Sequence, residues 1–181
     1  GEKKVLGAWH GSTENYEVCK DLFQDLISRG LDPLTVKLAV LDGSKALAKA
    51  VRNVFGERTQ IQRCQVHKVR NVLSYLPKTM HESVGQAMRQ AYKASDYDTA
   101  KRLLQNLENS LRKTHKSAAS SLAEGMEETL TLLRFQASKS LQKSLASTNI
   151  IENLNGTIKH VCRRVKRWRS SDMIMRWVYT G

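Results

Sequence analysis

The sequence contains only two prolines and three cysteines, and it lacks long apolar runs. Prolines occur only at Pro33 and Pro77, so a proline-rich linker is excluded. The cysteines are odd in number and far apart, which excludes a disulfide framework and favours a reducing compartment. No apolar run approaches the roughly 18–20 residues that cross a bilayer, and the apolar segment behind residues 1–4 is too short for a signal peptide. We therefore expect a cytoplasmic protein with no membrane partner.

Acidic residues are also scarce relative to basic ones. The 181 residues include 30 Lys and Arg against 17 Asp and Glu, which leaves a formal net charge of +13. A hydrophobic content of 40% is enough for a buried core and excludes a disordered tail. The excess charge is concentrated in residues 61–95 and 151–181. This distribution predicts a polyanionic partner, either nucleic acid or an acidic membrane face.

The densest basic run lies between residues 159 and 169, where six of eleven residues are Lys or Arg. A basic run taken alone is often only a solvated surface. Here the density and the tryptophan inside the run favour phosphate contacts together with stacking on exposed bases. The predicted DNA-binding residues are Lys159, Arg163, Arg164, Lys166, Arg167, Trp168 and Arg169.

The first 63 residues have an alternating pattern of strands and helices. Residues 4–9, 35–41 and 59–63 are typical of strands, and the nearly continuous apolar run 35–41 predicts a strand buried on both faces. Apolar residues at helical spacing fill the two segments between them, and Ser12 or Thr13 can cap the first helix. The pattern predicts an α/β fold with a parallel pair of strands.

Helical periodicity dominates from residue 64 onward. It predicts several helices, including one continuous helix over 117–135. A further helix is expected to begin at a cap on Asn149 and to continue through Val165, because an apolar stripe runs that far. Asp172 can cap a last helix.

Two acids stand where a metal could be held. Asp42 follows the predicted strand 35–41, and functional groups collect at the carboxyl ends of strands in open α/β sheets. Glu152 lies on a helix whose face is otherwise basic. A turn residue and a capping acid are equally good interpretations of these two residues. If both acids met in space they could hold a hard cation such as magnesium, but sequence spacing does not decide whether they meet.

Cys64 and His67 are spaced i, i+3 at the start of a predicted helix. A structural zinc site needs four ligands, and no second pair has a recognisable spacing, so we expect no zinc and favour a packing or hydrogen-bonding role. No phosphate-binding loop, dinucleotide fingerprint or nucleophile elbow is present. Nucleotide-hydrolysing and dinucleotide enzymes are thereby disfavoured.

Several segments, taken in order, carry a specific combination of motifs. They are LGAWHGSTEN at residues 6–15, residues 21–31, Asp42-Gly43-Ser44, Cys64-x-x-His67 followed by Arg70-Asn71, residues 124–130, Thr148-Asn149-x-x-Glu152, and Val165-Lys166-Arg167-Trp168-Arg169. This combination resembles the catalytic core of bacterial Mutator-type insertion-sequence transposases. The resemblance covers nearly the whole chain. It implies an RNase H-like core interrupted by a helical insertion, and DDE chemistry in which two divalent ions cleave DNA and join it to a target.

By motif match, Asp42 is the second acid of the triad and Glu152 the last, and both are implied metal ligands for Mg²⁺ or Mn²⁺. Cys64 and His67 match the family's CxxH signature. The implied partner is DNA, as transposon ends and target, in a bacterial, nucleoid-associated setting. The full-length protein can be a homo-oligomer.

The resemblance also implies three segments. Residues 1–63 would be the first part of the RNase H-like core, residues 64–140 the helical insertion, and residues 141–181 the return to the core with the glutamate helix and the basic region. The family's first catalytic Asp lies upstream of the Leu6-Gly7 strand, so we expect a truncated core that lacks its first strands and is inactive by itself. Two alternatives stay open: a DNA-binding remnant without catalysis, and a basic helical interaction module.

Overall fold

The computed structural model describes residue 2, residues 4–8 and residues 15–180. Within this part of the chain it has two strands, eleven α-helices and one 3-10 helix. In chain order they are α1 (Tyr16–Ser28), the 3-10 helix (Pro33–Thr35), β1 (Leu38–Leu41), α2 (Lys45–Phe55), β2 (Gln60–Arg63), α3 (Gln65–Leu73), α4 (Lys78–Tyr92), α5 (Tyr97–Thr114), α6 (Lys116–Ala123), α7 (Met126–Thr129), α8 (Thr131–Arg134), α9 (Lys139–Leu145), α10 (Asn149–Cys162) and α11 (Ser171–Thr180).

The chain forms two compact units. The first comprises Gly1–Lys37, Lys45–Thr59 and Thr148–Gly181, and the second comprises Leu38–Ser44 and Gln60–Ser147. The first unit therefore contains α1, α2, α10 and α11, and the second contains both strands and α3 to α9. The expected limits at residues 63 and 140 stay a prediction. No helix within residues 15–180 combines the length and the apolar character needed to cross a bilayer.

In the first unit, α1 packs against α2. The rings of Phe23 and Phe55 meet edge to face with centroids 5.0 Å apart, and the side-chain amide of Asn53 donates to the hydroxyl of Tyr16 at 2.8 Å. The cap of α1 is Asn15, whose side chain accepts from a backbone amide in the first turn. The caps expected at residues 12 and 13 lie outside the described residues.

The strand expected over residues 4–9 is wrong for residues 4–8, which have no regular structure; Trp9 lies outside the described residues. A strand needs a neighbouring strand to bond its backbone. Here the carbonyl of Leu6 accepts instead from the guanidinium of Arg29 at 2.8 Å. A side chain therefore satisfies a carbonyl that a sheet would have used.

The C-terminal helices differ from the expectation at their ends. The cap of α10 is Thr148 rather than Asn149, and the helix ends at Cys162, so Val165 lies beyond it. Four cations follow at residues 163–167, where helical spacing would place like charges three and four residues apart, which destabilises a helix. α11 begins at Ser171, one residue before the expected cap at Asp172.

In the second unit, β1 and β2 pair in parallel, with Leu38 opposite Gln60 and Leu41 opposite Arg63. The parallel pair is thus confirmed, and the mostly helical chain with its two-stranded sheet is compatible with the predicted α/β class. β1 is shorter than expected because residues 33–35 form the 3-10 helix. It is also not buried on both faces: of its four residues only Leu41 is buried, and the others are half-buried.

The helices of the second unit enclose the larger core. Its buried members come from α3 to α8 and the turns between them; they include Val72, Val84, Met88, Ala100, Leu104, Leu111, Ala118, Leu122, Leu130 and Leu133. The expected continuous helix over 117–135 is instead three short helices. The break falls at Gly125, which adopts a left-handed conformation with φ of +64° and so ends α6. α9 was not predicted, and α5 is capped by Asp96.

Two long-range bonds attach the helical segment to β2. The hydroxyl of Thr131 donates to the carbonyl of Ile61 at 2.7 Å, and the amide of Leu132 donates to Oε1 of Gln62 at 3.0 Å. All four residues that form these bonds are buried, so these polar groups are satisfied inside the core. These two bonds therefore hold the first two residues of α8 against the middle of β2.

Candidate functional site

The carboxyl ends of β1 and β2 lie side by side. The amide of Cys64 donates to the carbonyl of Leu41 at 2.7 Å, so the residues that follow the two strands, Asp42 and Cys64, share one edge of the sheet. In open α/β sheets, ligands bind outside the carboxyl ends of the strands, so this edge is where functional groups collect. The predicted position of Asp42 at a strand end is what the structure shows.

Asp42 begins a tight turn. Its side chain is half-buried, and its Oδ1 accepts the amide of Ser44 at 3.0 Å. The next residue, Gly43, has a φ of +112°, which is a conformation that glycine adopts at little cost. A local hydrogen bond and a glycine turn therefore hold the carboxylate in place.

Cys64 and His67 are in contact. Nδ1 of His67 lies 3.3 Å from Sγ of Cys64, which is a hydrogen bond whose donor depends on the imidazole tautomer. Cys64 is fully buried and stands just before α3, while His67 is half-buried in its first turn. The hydrogen-bonding role that the spacing favoured is compatible with this contact.

A cluster of two buried cations and one partly exposed carboxylate stands next to this edge, and nothing in the sequence predicted it as a site. Glu124 accepts from two cations: its Oε2 lies 3.0 Å from Nη2 of Arg63 and 3.4 Å from Nζ of Lys68. Nζ of Lys68 also donates to the carbonyls of Ser121 and Glu124. The Lys68 side chain is 1% exposed, so the chain of bonds to carbonyl oxygens replaces its hydration.

This environment changes the acidity of both partners. Burial lowers the pKa of Lys68 to about 8, the charge of Arg63 acts in the same direction, and Glu124 opposes both. The hydrogen bond from Arg63 lowers the pKa of the Glu124 carboxyl. The signal that could have revealed the cluster is the presence of Arg63 at the end of a strand whose other residues are apolar or amide-bearing.

In the first unit, Glu152 lies in the first turn of α10. Its Oε1 accepts from the hydroxyl of Thr148 at 3.0 Å, and the carboxylate is half-buried. The N-terminus of a helix favours negative charge because its unpaired amides and its dipole are positive there. The capping interpretation of Glu152 thus describes its local bonds, and it leaves a role as a ligand open.

The predicted DNA-binding residues form an exposed run. Lys159 lies on the last turn of α10 and Arg163 follows it as the C-cap, while residues 165–170 have no regular structure. All six cations are exposed, and Trp168 is 41% exposed. Cations in this state can reach phosphates without first losing an internal partner in a core.

Comparison with known proteins identifies the family. A family model described as "Transposase, Mutator family" matches residues 1–180. The chain belongs to this family.

Three relatives illustrate the match. The transposase for insertion sequence element IS6120 of Mycolicibacterium smegmatis is 31% identical over 159 residues, covering 88% of this chain and 48% of the relative. The transposase for ISRM5 of Rhizobium meliloti is 30% identical over 178 residues, or 98% of this chain and 44% of the relative. The transposase for IS256 in Tn4001 of Staphylococcus aureus is 29% identical over 161 residues, or 88% and 40%. The chain thus spans about half or less of the length of these curated relatives.

In this Mutator family chain, two of the predicted site residues are in direct contact, namely Cys64 and His67. Asp42 follows the strand that pairs with the one before Cys64, so it leaves the sheet at the same end, in the second unit. Glu152 and the basic run belong to the first unit, where Glu152 contacts Thr148. The convergence of Asp42 and Glu152 on one site stays a prediction.

Proposed function

We propose that this chain is part of the DDE catalytic core of an insertion-sequence transposase, which cleaves DNA strands and transfers them to a target. The observation that carries the proposal is the position of Asp42. The acid that the family resemblance marks as catalytic follows a parallel strand directly, at the sheet edge where α/β proteins place their chemistry. The relatives' names supply the biological reaction, and the family match extends over the same residues.

Asp42 and Glu152 are the proposed metal-ligating acids. The donor set fits a hard divalent ion, because Mg²⁺ and Mn²⁺ prefer carboxylate oxygens, and the Asp42 carboxylate is already held by the amide of Ser44. When bound, paired ions would activate the attacking oxygen and stabilise the leaving oxygen of a phosphodiester. The role of this chain is to fix the two carboxylates, one at a strand end and one in the first turn of a helix. We expect no zinc in this role.

The architecture that we propose around these acids is RNase H-like. The parallel pair joined by α2, with an acid after its first strand, is compatible with part of such a core. The helices between Cys64 and residue 140 would be the insertion, and residues 141–181 would return the chain to the core with Glu152. This assignment gives a reason for the two acids to be separated by so long a helical segment.

DNA is the proposed partner, both as element ends and as target, which would place the protein at the nucleoid. Exposed cations at residues 159–169 would hold the phosphates. Trp168, being partly exposed beside them, would stack on an unpaired base. The full-length protein can be a homo-oligomer, which would hold two transposon ends at once.

A second candidate is DNA binding without cutting. A DDE site needs three acids, and the resemblance assigns only Asp42 and Glu152 within these 181 residues. We therefore infer that the chain by itself binds DNA and leaves it intact, because an incomplete acid set does not position both ions. This candidate differs from the first in one observable, which is strand scission.

Metal binding tests the proposed roles. The affinity of the chain for Mn²⁺, measured by electron paramagnetic resonance, is expected to fall at least about tenfold in Asp42→Asn and in Glu152→Gln, since each removes one charged ligand. Glu82→Gln, at an exposed position on α4, is the matched control and should bind as the unsubstituted chain does. Equal affinity in Asp42→Asn and in the unsubstituted chain would contradict the role of Asp42.

A nicking assay on supercoiled plasmid with Mg²⁺ or Mn²⁺ separates the two candidates. No nicking together with salt-dependent DNA binding supports the second. Nicking that Asp42→Ala abolishes would show that a further acid of this chain completes the site. Elemental analysis of the purified chain checks the metal identity, and stoichiometric zinc would contradict the expectation of none.

A further inference from the structure

We propose that Arg63 is a positioning residue for the Asp42 turn, and that it acts by anchoring this turn to Glu124. The inference rests on the proposed function in one respect, because it is Asp42 as a metal ligand that makes the placement of the turn matter. The family resemblance and the acid triad do not assign any role to Arg63 or Glu124. Asp42, Arg63 and Glu124 all belong to the second unit.

The register of the sheet places Arg63 beside the turn. Arg63 is the last residue of β2 and lies opposite Leu41, which is the residue immediately before Asp42. Because the strands are parallel, the Arg63 side chain leaves the sheet where the Asp42 turn leaves it. No local feature of either segment alone produces this neighbourhood.

The guanidinium of Arg63 fills the space between two glycines. A Cβ added to Gly43 would lie 2.7 Å from Nε and 2.8 Å from Nη2 of Arg63, and a Cβ added to Gly125 would overlap Nη1. Both glycines have positive φ, +112° at Gly43 and +64° at Gly125. The side chain is therefore held between the backbone of the acid-bearing turn on one side and the break between α6 and α7 on the other.

The polar contacts of Arg63 point to one side only. Nη2 pairs with the Glu124 carboxylate at 3.0 Å, and Nη1 donates to the Glu124 carbonyl at 3.4 Å. Nε is buried and has no hydrogen-bond partner within the described part of the chain. The guanidinium is thus tied to Glu124, while its Nε and Nη2 lie close against Gly43.

Stability alone does not account for this arrangement. Two buried or nearly buried cations, Arg63 and Lys68, share one carboxylate, and the 6% exposure of Arg63 means that its charge is almost fully removed from water. A buried ion pair is often no more stabilising than apolar residues of the same size, but it does fix one geometry. The geometry fixed here is that of the glycine turn next to Asp42.

Hydrogen exchange reports on the turn directly, because the amide of Ser44 is bonded to the Asp42 carboxylate. In Arg63→Met, which keeps an unbranched apolar stem and removes the charged guanidinium, we expect exchange of the Ser44 amide to accelerate roughly tenfold. The Cys64 amide, bonded to Leu41, should change far less. Arg63→Lys should restore part of the protection, and Glu124→Gln should lose part of it. Mn²⁺ affinity should fall in the same order.

Arg134→Met is the matched control. Arg134 also bonds β2, through Oε1 of Gln60 at 2.8 Å, but at the opposite end of the strand and on the surface. Its removal should leave the Ser44 amide and the Mn²⁺ affinity unchanged. If Arg63→Met does not fold, the milder Glu124→Gln decides, since Glu124 is partly exposed. Unchanged Ser44 exchange in folded Arg63→Met or Glu124→Gln, or an equal change in Arg134→Met, overturns the proposal.

Failure of the proposed function would look different. If Ser44 exchange rises in Arg63→Met while Asp42→Asn binds Mn²⁺ as tightly as the unsubstituted chain, the anchoring by Arg63 holds and the role of Asp42 as a ligand fails. If Mn²⁺ binding depends on Asp42 while Ser44 exchange is insensitive to substitution of Arg63, the role of Asp42 as a ligand holds and the anchoring by Arg63 fails. The exchange and metal measurements therefore separate the two proposals.

Discussion

The carbonyl of Leu41 accepts the amide of Cys64 at 2.7 Å. This bond closes the parallel ladder at the point where both strands end. It therefore places the Asp42 turn and the Cys64-His67 pair at one edge, although α2 and β2 lie between them in the chain. The proposed chemistry depends on that edge, because a single carboxylate at a strand end becomes a site only when other groups share its position.

The basic run predicts salt-dependent DNA binding. If four to six phosphates are contacted, the slope of log affinity against log salt should be about −4 to −5, since each contact releases counterions. Alanine substitution of four cations together should flatten the slope; the set is Arg163, Arg164, Lys166 and Arg167. Fluorescence anisotropy with unrelated duplexes measures both the slope and the absence of sequence preference.

A control with the same loss of charge separates local contacts from net charge. It replaces four exposed cations elsewhere, namely Lys37, Arg58, Lys78 and Lys93. This variant should keep most of the slope. Salt-insensitive binding by the unsubstituted chain would contradict the phosphate contacts, and no binding at low salt would favour a basic interaction module without a nucleic-acid role.

Trp168 predicts a preference for single strands. Stacking on an exposed base contributes about 1–3 kcal/mol, so Trp168→Ala should weaken binding to a single-stranded oligonucleotide by that amount and affect duplex binding less. Trp168→Phe keeps an aromatic face and should retain most of the affinity. Equal losses for single strands and duplexes would show that Trp168 does not stack.

Because burial lowers the pKa of Lys68, we predict that the stability of the chain depends on pH. Its pKa is near 8 in the folded chain and near 10.5 when unfolded, so the unfolded chain holds the proton more tightly. The free-energy cost of burying the charged Lys68 side chain is therefore fully present below pH 8. The free energy of unfolding should rise as the pH is raised from 8 to 10, because the folded chain loses this charge first. The rise attributable to Lys68 is roughly 2–3 kcal/mol. Above pH 10 the buried Tyr92, whose pKa is raised to about 12, acts in the opposite direction.

The measurement is urea unfolding at several pH values for the unsubstituted chain and for Lys68→Met. The variant should lose the rise between pH 8 and 10, whatever its absolute stability. Lys93→Met, at an exposed position on the chain, should keep the rise. Parallel pH profiles for the unsubstituted chain and Lys68→Met would contradict the buried-lysine interpretation.

We predict that any side chain at position 125 destabilises the folded chain. Gly125→Ala places a Cβ at a φ of +64° and against the Arg63 guanidinium, which should lower the free energy of unfolding by roughly 1–3 kcal/mol. Gly156→Ala is the matched control, because Gly156 lies inside α10 and an added Cβ would have no described atom within 4 Å beyond its chain neighbours and the backbone of its own helix. That variant should gain up to about 1 kcal/mol from helix propensity. Equal effects of the two substitutions would contradict this account.

Local chemistry in the sequence was enough to predict much of the fold. Apolar spacing located most of the helices of residues 64–135 and the parallel pair. This was possible because the spacing of apolar residues along the chain follows the period of the element that buries them. The density of cations at residues 159–169 predicted an exposed run. Asp42 was predicted at a strand end because an apolar run stops there before a glycine. The same motifs identified the family.

The expectations that failed depended on partners distant in the chain. Residues 4–8 have the composition of a strand, yet the Leu6 carbonyl is bonded by Arg29 and not by a neighbouring strand. The helix predicted over 117–135 is broken at Gly125, whose left-handed backbone brings Glu124 toward Arg63. Periodicity reports the local preference of the backbone and cannot report which distant group will satisfy it.

The sequence by itself therefore determined most of the helical segments, the parallel pair of strands, the charge distribution and the family of this protein. Only the tertiary structure decided that the buried Arg63 and Lys68 share the Glu124 carboxylate beside the Asp42 turn. The physical reason is that the bond from Arg63 to Glu124 joins residues 61 positions apart. Its existence depends on the packing of α7 and α8 beside β2, which no local pattern of either segment encodes.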